Sequence, residues 1–200
     1  MKYSLALLAL PFLSTAAILP RAATVTTLPA HTGTLQLPTA TRIPAGGSFD
    51  GKMRRIDTGV PCAADVELFD REIVFILGEG ATLSNVIIGP AQKKGVHCLA
   101  KCTLINVWWS KTCHYGLSIL SQKAGDKAII KGGGAFGATG TNSINSNFGD
   151  TAKITKSVLK TVTNVCTTFK GTTIKSIQAV KIASGNDDKS CIYGSDVVSS

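Results

Sequence analysis

The chain has 200 residues, a length typical of one domain or of one domain with processed ends. Hydrophobic residues make up 44% of it and charged residues only 16%, which excludes a disordered chain, a coiled coil and a highly charged nucleic-acid arm. Lysine and arginine outnumber aspartate and glutamate by 21 to 12, and the formal net charge of +9 favours a polyanionic partner.

The N-terminus has the pattern of a secretory signal peptide. Lys2 is followed by an apolar run from Leu5 to Leu13, and small residues at 14–17 offer a cleavage site. The run is shorter than the roughly 20 apolar residues that span a membrane, and a buried helix is the alternative. We predict a signal peptide over 1–17, a processed or flexible segment over 18–40 and one domain over 41–200, secreted and without a membrane or nucleic-acid partner.

The cysteines are an even set, which in an oxidising compartment predicts disulfides. Six cysteines allow fifteen pairings, and the sequence does not choose among them. A zinc site is the weaker alternative, because the Cys98-x3-Cys102 pair has no matching second pair. The six candidates are Cys62, Cys98, Cys102, Cys113, Cys166 and Cys191.

Two segments of the chain repeat each other. The runs ATLSNVII and CTLINVWW place Leu83 and Leu104 21 residues apart, and the tripeptides that begin at Gly95 and Gly116 have the same separation. Looser repeats follow Leu104 at steps of 25, 25 and 20 residues, which place Ile129, Ile154 and Ile174. A period of this length indicates one supersecondary unit stacked repeatedly.

The repeated segments are short runs of valine, isoleucine and threonine, which favour strands. Helical repeats would space apolar residues by three and four, and leucine-rich repeats would carry more leucines. We therefore predict an all-β fold, a right-handed parallel β-helix with about 20–25 residues per rung. Asn85 and Asn106 are expected to form an amide ladder between rungs, with exposure in unrelated turns as the alternative.

The run GATLSNVIIGPAQKKGVHCLAKCTLINVWW, from Gly80 to Trp109, resembles the fungal and bacterial pectate lyases of polysaccharide lyase family 3. Further similar segments are GSFDGKM, GGGA, INSNFGDTA and the C-terminal SGNDDKSCIYGSDV. The resemblance implies a secreted, calcium-dependent lyase on a parallel β-helix, and we expect the protein to be a monomer. Its implied substrate is pectate, the de-esterified homogalacturonan of plant cell walls.

The resemblance also implies the chemistry of the site. β-Elimination removes the C5 proton of a galacturonate and expels the C4 glycosidic oxygen, so it needs a base and a cation beside the carboxylate. In the family, clustered carboxylates hold the calcium, because Ca²⁺ prefers several hard oxygen ligands. Lysine and arginine supply the base and bind the substrate carboxylates.

This sequence departs from the family at those positions. Lys94 stands where the family has an acid before GVHC, Lys111 replaces an aspartate, and His114 and Tyr115 replace a Glu-Asp pair. Cationic side chains repel Ca²⁺, so we predict no metal ligands here and leave the catalytic residues unassigned. Lys94, Lys111 and His114 are candidates for binding galacturonate carboxylates, and Trp109 is a candidate for stacking on sugar.

The remaining acids give no clear site. The acidic cluster over residues 65–72, which includes Glu72, is expected to be a solvated strand edge or loop, with a metal site as the alternative. Asp150 is expected to be a turn or cap residue.

Relative to the family, about fifty residues are missing between Gly137 and Ile144, which corresponds to about two rungs. A solenoid can lose whole rungs and still fold, but the missing segment carries the candidate catalytic lysines and arginine of the family. Three interpretations stay open. The protein is a weak pectate lyase, a non-catalytic secreted protein that binds wall polysaccharide or a host wall protein, or a truncated product of gene decay or of a gene-model error.

Overall fold

Alternation of apolar and polar residues along the repeated segments produces strands with one face in a core and the other outside. The computed structural model describes residues 27–62, 69–119, 124–137, 141–173 and 179–199. The predicted signal peptide lies outside the described residues. Residues 34–36, inside the segment predicted to be processed or flexible, already pair with residues 55–57, so the paired strands begin before residue 41.

Within the described residues the chain forms sixteen strands. They are β1 (Thr34–Gln36), β2 (Thr41–Ile43), β3 (Ser48–Asp57), β4 (Ile73–Leu77), β5 (Ala81–Ile88), β6 (Lys94–Cys98), β7 (Cys102–Trp109), β8 (Leu117–Ile119), β9 (Lys127–Phe136), β10 (Asn142–Asn145), β11 (Thr151–Thr155), β12 (Val158–Lys160), β13 (Thr167–Lys170), β14 (Val180–Ser184), β15 (Cys191–Tyr193) and β16 (Val198–Ser199). A short helix α1 (Phe69–Glu72) precedes β4, and a 3-10 turn covers Ser146–Phe148. None of the described helices is long and apolar enough to cross a membrane.

The strands form two sheets, and the chain passes from one to the other in every rung. Sheet A has the order β1-β3-β5-β7-β9-β11-β15, with β12 pairing the second half of β9 and β16 pairing β12. Sheet B has the order β2-β4-β6-β8-β10-β13-β14. The pairings are parallel except for β13 with β14, which is antiparallel. This is a parallel β-solenoid of about five turns, and the predicted fold class is confirmed.

The 21-residue period sets the register of the central rungs. Leu83 lies opposite Leu104, and His97 lies opposite Ser118, as the repeat predicts. The next step was predicted one residue too early, because Ile130 rather than Ile129 lies opposite Leu104. Ile130 is 5% exposed and faces the core, whereas its neighbour faces outward, as alternation along a strand requires. The repeat predicted at residue 174 lies outside the described residues.

The predicted asparagine ladder is confirmed. Asn106 Nδ2 donates to Oδ1 of Asn85 at 2.9 Å, and Asn85 Nδ2 donates to Oδ1 of Asp50 at 3.2 Å. Both asparagines have positive φ, 50° and 54°, and Gly132 continues the left-handed corner on the next rung with φ 68°. Asparagine suits this position because it tolerates the left-handed conformation and its amide bonds the next rung.

The cysteines form three disulfides, Cys62–Cys113, Cys98–Cys102 and Cys166–Cys191. The pair that the zinc alternative used is thus a disulfide across the corner between β6 and β7. Cys62–Cys113 joins two loops on the side of the candidate site, and Cys166–Cys191 joins the last rungs of the solenoid. The prediction that all six are disulfide-bonded is confirmed.

Candidate functional site

Apart from Trp109 on β7, the predicted site residues lie on two stacked segments, here called the basic loops: residues 89–94, of which Lys94 begins β6, and residues 110–116 between β7 and β8. The backbone N–H of His114 donates to the carbonyl of Lys93 at 3.2 Å, and that of Gly95 donates to the carbonyl of Tyr115 at 3.3 Å. These bonds continue the parallel ladder into the loops. They place Lys94, His114 and Tyr115 on neighbouring rungs of one surface.

Buried groups fix the position of the basic loops. Gln92 is fully buried, and its Nε2 donates to the carbonyl of Lys111 at 2.9 Å. The N–H groups of Thr58 and Val60 on the preceding rung donate to the carbonyl of Ala91 at 3.2 and 3.1 Å. The Cys62–Cys113 disulfide joins that rung to the second loop. Three successive rungs therefore hold the exposed basic side chains in place.

A buried carboxylate lies beneath this surface. Glu72, at the end of α1, is 4% exposed, and its Oε1 accepts a hydrogen bond of 3.0 Å from Nζ of Lys93. The Lys94 ammonium lies 3.5 Å from the other carboxylate oxygen, and the Lys94 side chain is 32% exposed. A buried carboxylate requires such cationic partners to offset its lost hydration. Lys94 thus binds Glu72 and still reaches the surface.

Glu72 corrects the expectation that its acidic cluster is wholly solvated. The other predicted acids of that cluster either lie outside the described residues or have undescribed side chains. One signal in the sequence points to the ion pair: Glu72 and Lys93 are 21 residues apart, the period of the repeat. Two residues separated by one period lie side by side on neighbouring rungs.

The other predicted binding residues differ in exposure. Lys111 and His114 are exposed, whereas Tyr115 is half-buried and packs edge-on against Phe169, with ring centroids 5.8 Å apart. The structure therefore leaves Lys111 and His114 on the surface beside Lys94 and uses the tyrosine ring in packing.

The structure corrects the predicted sugar-stacking role of Trp109. Its indole is 5% exposed and packs in the core, and its Nε1 donates to the carbonyl of Gly116 at 3.1 Å. Trp108 on the opposite face of the strand is also covered, at 7% exposure, because it stacks on Phe136 and bonds Asn106 at 2.7 Å. Neither indole offers a free face to a sugar ring.

His97 lies under the same surface, on β6. Burial lowers the pKa of its imidazole from 6.5 to about 4, and the positive charge of Lys94 lowers it further in the same direction. The side chain is 7% exposed, so the ring is a neutral member of the stack at neutral pH.

The basic loops do not fit calcium. Ca²⁺ takes about six to eight oxygen ligands, largely carboxylates and carbonyls. The side chains at the implied positions are Lys94, His114 and Tyr115, and the nearby Glu72 carboxylate is already bonded to lysines. Among the described residues, no group of three or more His, Cys, Asp or Glu side chains is arranged to hold a metal ion.

Comparison with known proteins relates the chain to pectate lyases. A family profile described as pectate lyase matches residues 25–141. Probable pectate lyase G of Emericella nidulans is 40% identical over 111 residues, covering 56% of this chain and 42% of that protein. Pectate lyase E of the same species is 33% identical over 190 positions, covering 70% of this chain and 74% of that protein. The crystal structure of the catalytic domain of pectate lyase PelI from Erwinia chrysanthemi matches with 19% identity and a TM-score of 0.41, covering 84% of this chain and 98% of that one.

The chain spans less than half the length of the first of these relatives. The alignment with pectate lyase E has 190 positions but contains 70% of this chain, or 140 of its 200 residues, which leaves about 50 positions without a counterpart here. The profile match ends at residue 141, inside the interval where the sequence predicts missing residues. A profile match over more than half of the residues, together with the alignment to pectate lyase E, shows that the chain belongs to the pectate lyase family.

Proposed function

We propose that this protein is a secreted member of the pectate lyase family that binds pectate but has lost calcium-dependent cleavage. The observation that carries the proposal is the donor set of the basic loops. Lys94, Lys111 and His114 are cations or nitrogen donors where the resemblance implies carboxylates. Ammonium groups bind galacturonate carboxylates directly through charge-assisted hydrogen bonds, and they need no metal to do so.

The exposed members of this set lie close together because the solenoid stacks the two loops on neighbouring rungs. The backbone bond from His114 to Lys93 and the bond from Gln92 to Lys111 hold both loops on neighbouring rungs. Strands in such a stack are about 4.8 Å apart, so Lys94 lies one rung from Lys111 and His114. A polyuronate carries a carboxylate on each sugar, and this short separation between cations supports binding of neighbouring carboxylates.

Secretion is supported by the cysteines. All six are paired in three disulfides, a state that persists in oxidising compartments. The apolar N-terminal run of the sequence fits export. N-terminal sequencing of protein recovered from culture medium tests both points, since retention of residues 1–17 on the secreted chain contradicts the predicted signal peptide.

Catalysis and binding are tested separately. Polygalacturonate is incubated with the protein in calcium or in EDTA, and unsaturated products are followed by ultraviolet absorbance. We expect no product in either condition. Calcium-stimulated product overturns the proposed loss of cleavage.

Binding is tested by retention on immobilised polygalacturonate, with elution by a salt gradient. The double variant K111S/H114S removes two exposed side chains of the basic loops without disturbing the buried Glu72 ion pairs. We expect it to elute at lower salt than the wild type, whereas the control K170S/K189S, exposed elsewhere, elutes near the wild type. No retention of the wild-type protein contradicts the binding proposal.

The missing positions favour a second candidate, a truncated gene product. About 50 positions of the alignment with pectate lyase E have no counterpart in this chain, and the profile match ends at residue 141. Sequencing of the genomic locus and transcript around codons 137–144 tests it. An intact exon that encodes the missing rungs identifies the 200-residue chain as incomplete, and a continuous reading frame supports the short protein.

A further inference from the structure

The C-terminal half of the chain is strongly cationic. Between residues 127 and 186 the sequence has eight lysines and one acid, Asp150, which is fully buried. The described residues of this segment therefore place no carboxylate on the exterior of these rungs. This charge lies apart from the basic loops, which comprise residues 89–94 and 110–116.

Three of these lysines share one outward face of sheet A. Lys127 and Lys131 lie on β9, and Lys153 lies on β11, and all three are exposed. Their neighbours Ala128, Ile130, Ala152 and Ile154 are buried, so alternation along the strand turns each lysine to the outside.

The register arranges the three lysines in a zigzag. Lys127 lies opposite Thr151, and Lys131 lies opposite Thr155, which places Lys153 diagonally between them, opposite Ile129. With strands about 4.8 Å apart and a rise of about 3.3 Å per residue, each diagonal joins Cα atoms about 8 Å apart. We call Lys127, Lys131 and Lys153 the lysine face.

The side chains beside the lysine face on the neighbouring strands are neutral, and the nearby carboxylates are Asp126, which precedes Lys127, and Asp196, which accepts a hydrogen bond from the backbone N–H of Lys156 at 2.9 Å. On β7, Thr103 and Ile105 point outward beside Ile129 and Lys131, and on β15 Ile192 lies opposite Lys153. Ile105 is 40% exposed. The surface thus combines cations with hydroxyl groups and aliphatic side chains on a sheet. These groups suit the carboxylates, hydroxyls and C–H faces of an acidic polysaccharide.

We infer that the lysine face is a second binding surface for an acidic polysaccharide, separate from the basic loops. The two surfaces lie on different parts of each rung, because the left-handed corner at Gly132 divides β9 between the lysine face and the half that leads towards the loops. The inference rests on the proposed function for the identity of the polymer. Two surfaces on one rigid solenoid bind a long polymer more tightly than either does alone, since the second contact is intramolecular.

The test replaces the lysine face with threonine, the residue that β11 carries opposite Lys127 and Lys131. The variant is K127T/K131T/K153T, and the matched control K170T/K181T/K189T removes the same charge from exposed positions elsewhere. Both are compared with the wild type and with K111S/H114S for affinity towards long polygalacturonate and towards short oligogalacturonides. Thermal unfolding followed by circular dichroism verifies folding. If the threonine variant has a lower melting temperature than the wild type, K127Q/K131Q/K153Q replaces it.

We expect the lysine-face variant to bind long polygalacturonate at least tenfold more weakly than the control, with short oligogalacturonides unaffected. Equal affinity of the lysine-face variant and the control for the long polymer overturns the inference, and leaves the proposed function intact if K111S/H114S still binds weakly. Loss of binding in the lysine-face variant alone supports this surface and contradicts the role of the basic loops. Vesicles containing phosphatidylserine are the comparison ligand: if the lysine face is needed for vesicles and not for polygalacturonate, the polysaccharide assignment is wrong.

Discussion

The backbone N–H of Asp126 donates a hydrogen bond of 3.1 Å to Oδ1 of Asp150, its neighbour one rung further along the solenoid. The Oδ2 atoms of both residues are buried and have no hydrogen-bond partner. Burial raises the pKa of Asp150 from 3.8 to about 6; the hydrogen bond from Asp126 opposes this rise, and the Asp126 charge adds to it. The expected turn or cap residue is therefore a buried carboxyl that binds a proton more readily in the folded state.

This proton makes the stability of the folded protein depend on pH. Because the folded state holds it more tightly, Asp150 stabilises the fold below pH 3.8, and this contribution is lost as pH rises to about 6. D150N keeps the acceptor for Asp126 and removes the titration. We expect D150N to gain stability relative to the wild type between pH 4 and 7, on the order of 2 kcal/mol. Urea unfolding at several pH values measures it, and a constant difference across that range contradicts the assignment.

His97 produces the opposite slope over nearly the same range. Its folded pKa of about 4 lies below the ordinary 6.5, so its contribution is complete above pH 6.5 and is lost as pH falls to about 4. In the wild type the slopes of His97 and Asp150 partly cancel. We expect H97Q to lose stability as pH rises through this window and D150N to gain it. If the free energy of unfolding from urea titrations changes with pH in the same direction in both variants, the cancellation is contradicted.

The sequence predicts most of the solenoid because its rungs repeat. Leu83 and Leu104 align with an unchanged period, and the asparagine ladder follows from the same alignment. The rung after β7 is longer, so periodicity no longer sets the register to one residue, and Ile129 was chosen where Ile130 faces the core. Short apolar runs do not distinguish two neighbouring isoleucines.

The site was less predictable, because its geometry depends on which groups the loops bury. The sequence predicts Trp109 as a platform for stacking on sugar, but in the structure its indole N–H bonds the carbonyl of Gly116 inside the core. The role of Glu72 depends on an ion pair with Lys93 across one rung. The disulfide pairing depends on the loops that the rungs bring together, as Cys62 and Cys113 show, and loop positions do not follow from the repeat.

Asn106 connects two rungs and orients an indole. Its Nδ2 bonds Asn85, its Oδ1 accepts from Nε1 of Trp108 at 2.7 Å, and its φ is 54°. We expect N106A to lower the free energy of unfolding by about 2–4 kcal/mol, because it removes both bonds and places a Cβ residue without a side-chain amide in the left-handed region. N106G accepts that conformation and is expected to cost less. Urea unfolding compares them, and equal losses show that the backbone conformation contributes little.

The Cys62–Cys113 disulfide links the stability of the fold to the position of the basic loops. It closes 51 residues, whereas Cys98–Cys102 closes 4. In the chain-entropy treatment these loops correspond to about 4 and about 2 kcal/mol. We expect C62S/C113S to lower the free energy of unfolding by more than C98S/C102S does, as measured by urea unfolding.

The same two variants separate stability from binding. Cys113 lies beside His114 on the second basic loop, so C62S/C113S releases the loop that carries Lys111. We expect this variant to elute from polygalacturonate at lower salt under conditions where both variants are folded, because an unfixed loop must lose conformational entropy on binding. C98S/C102S alters a corner between β6 and β7, away from Lys111 and His114, and is expected to elute with the wild type. If the two variants elute together, the disulfide serves stability alone and the basic loops do not need to be held in place to bind.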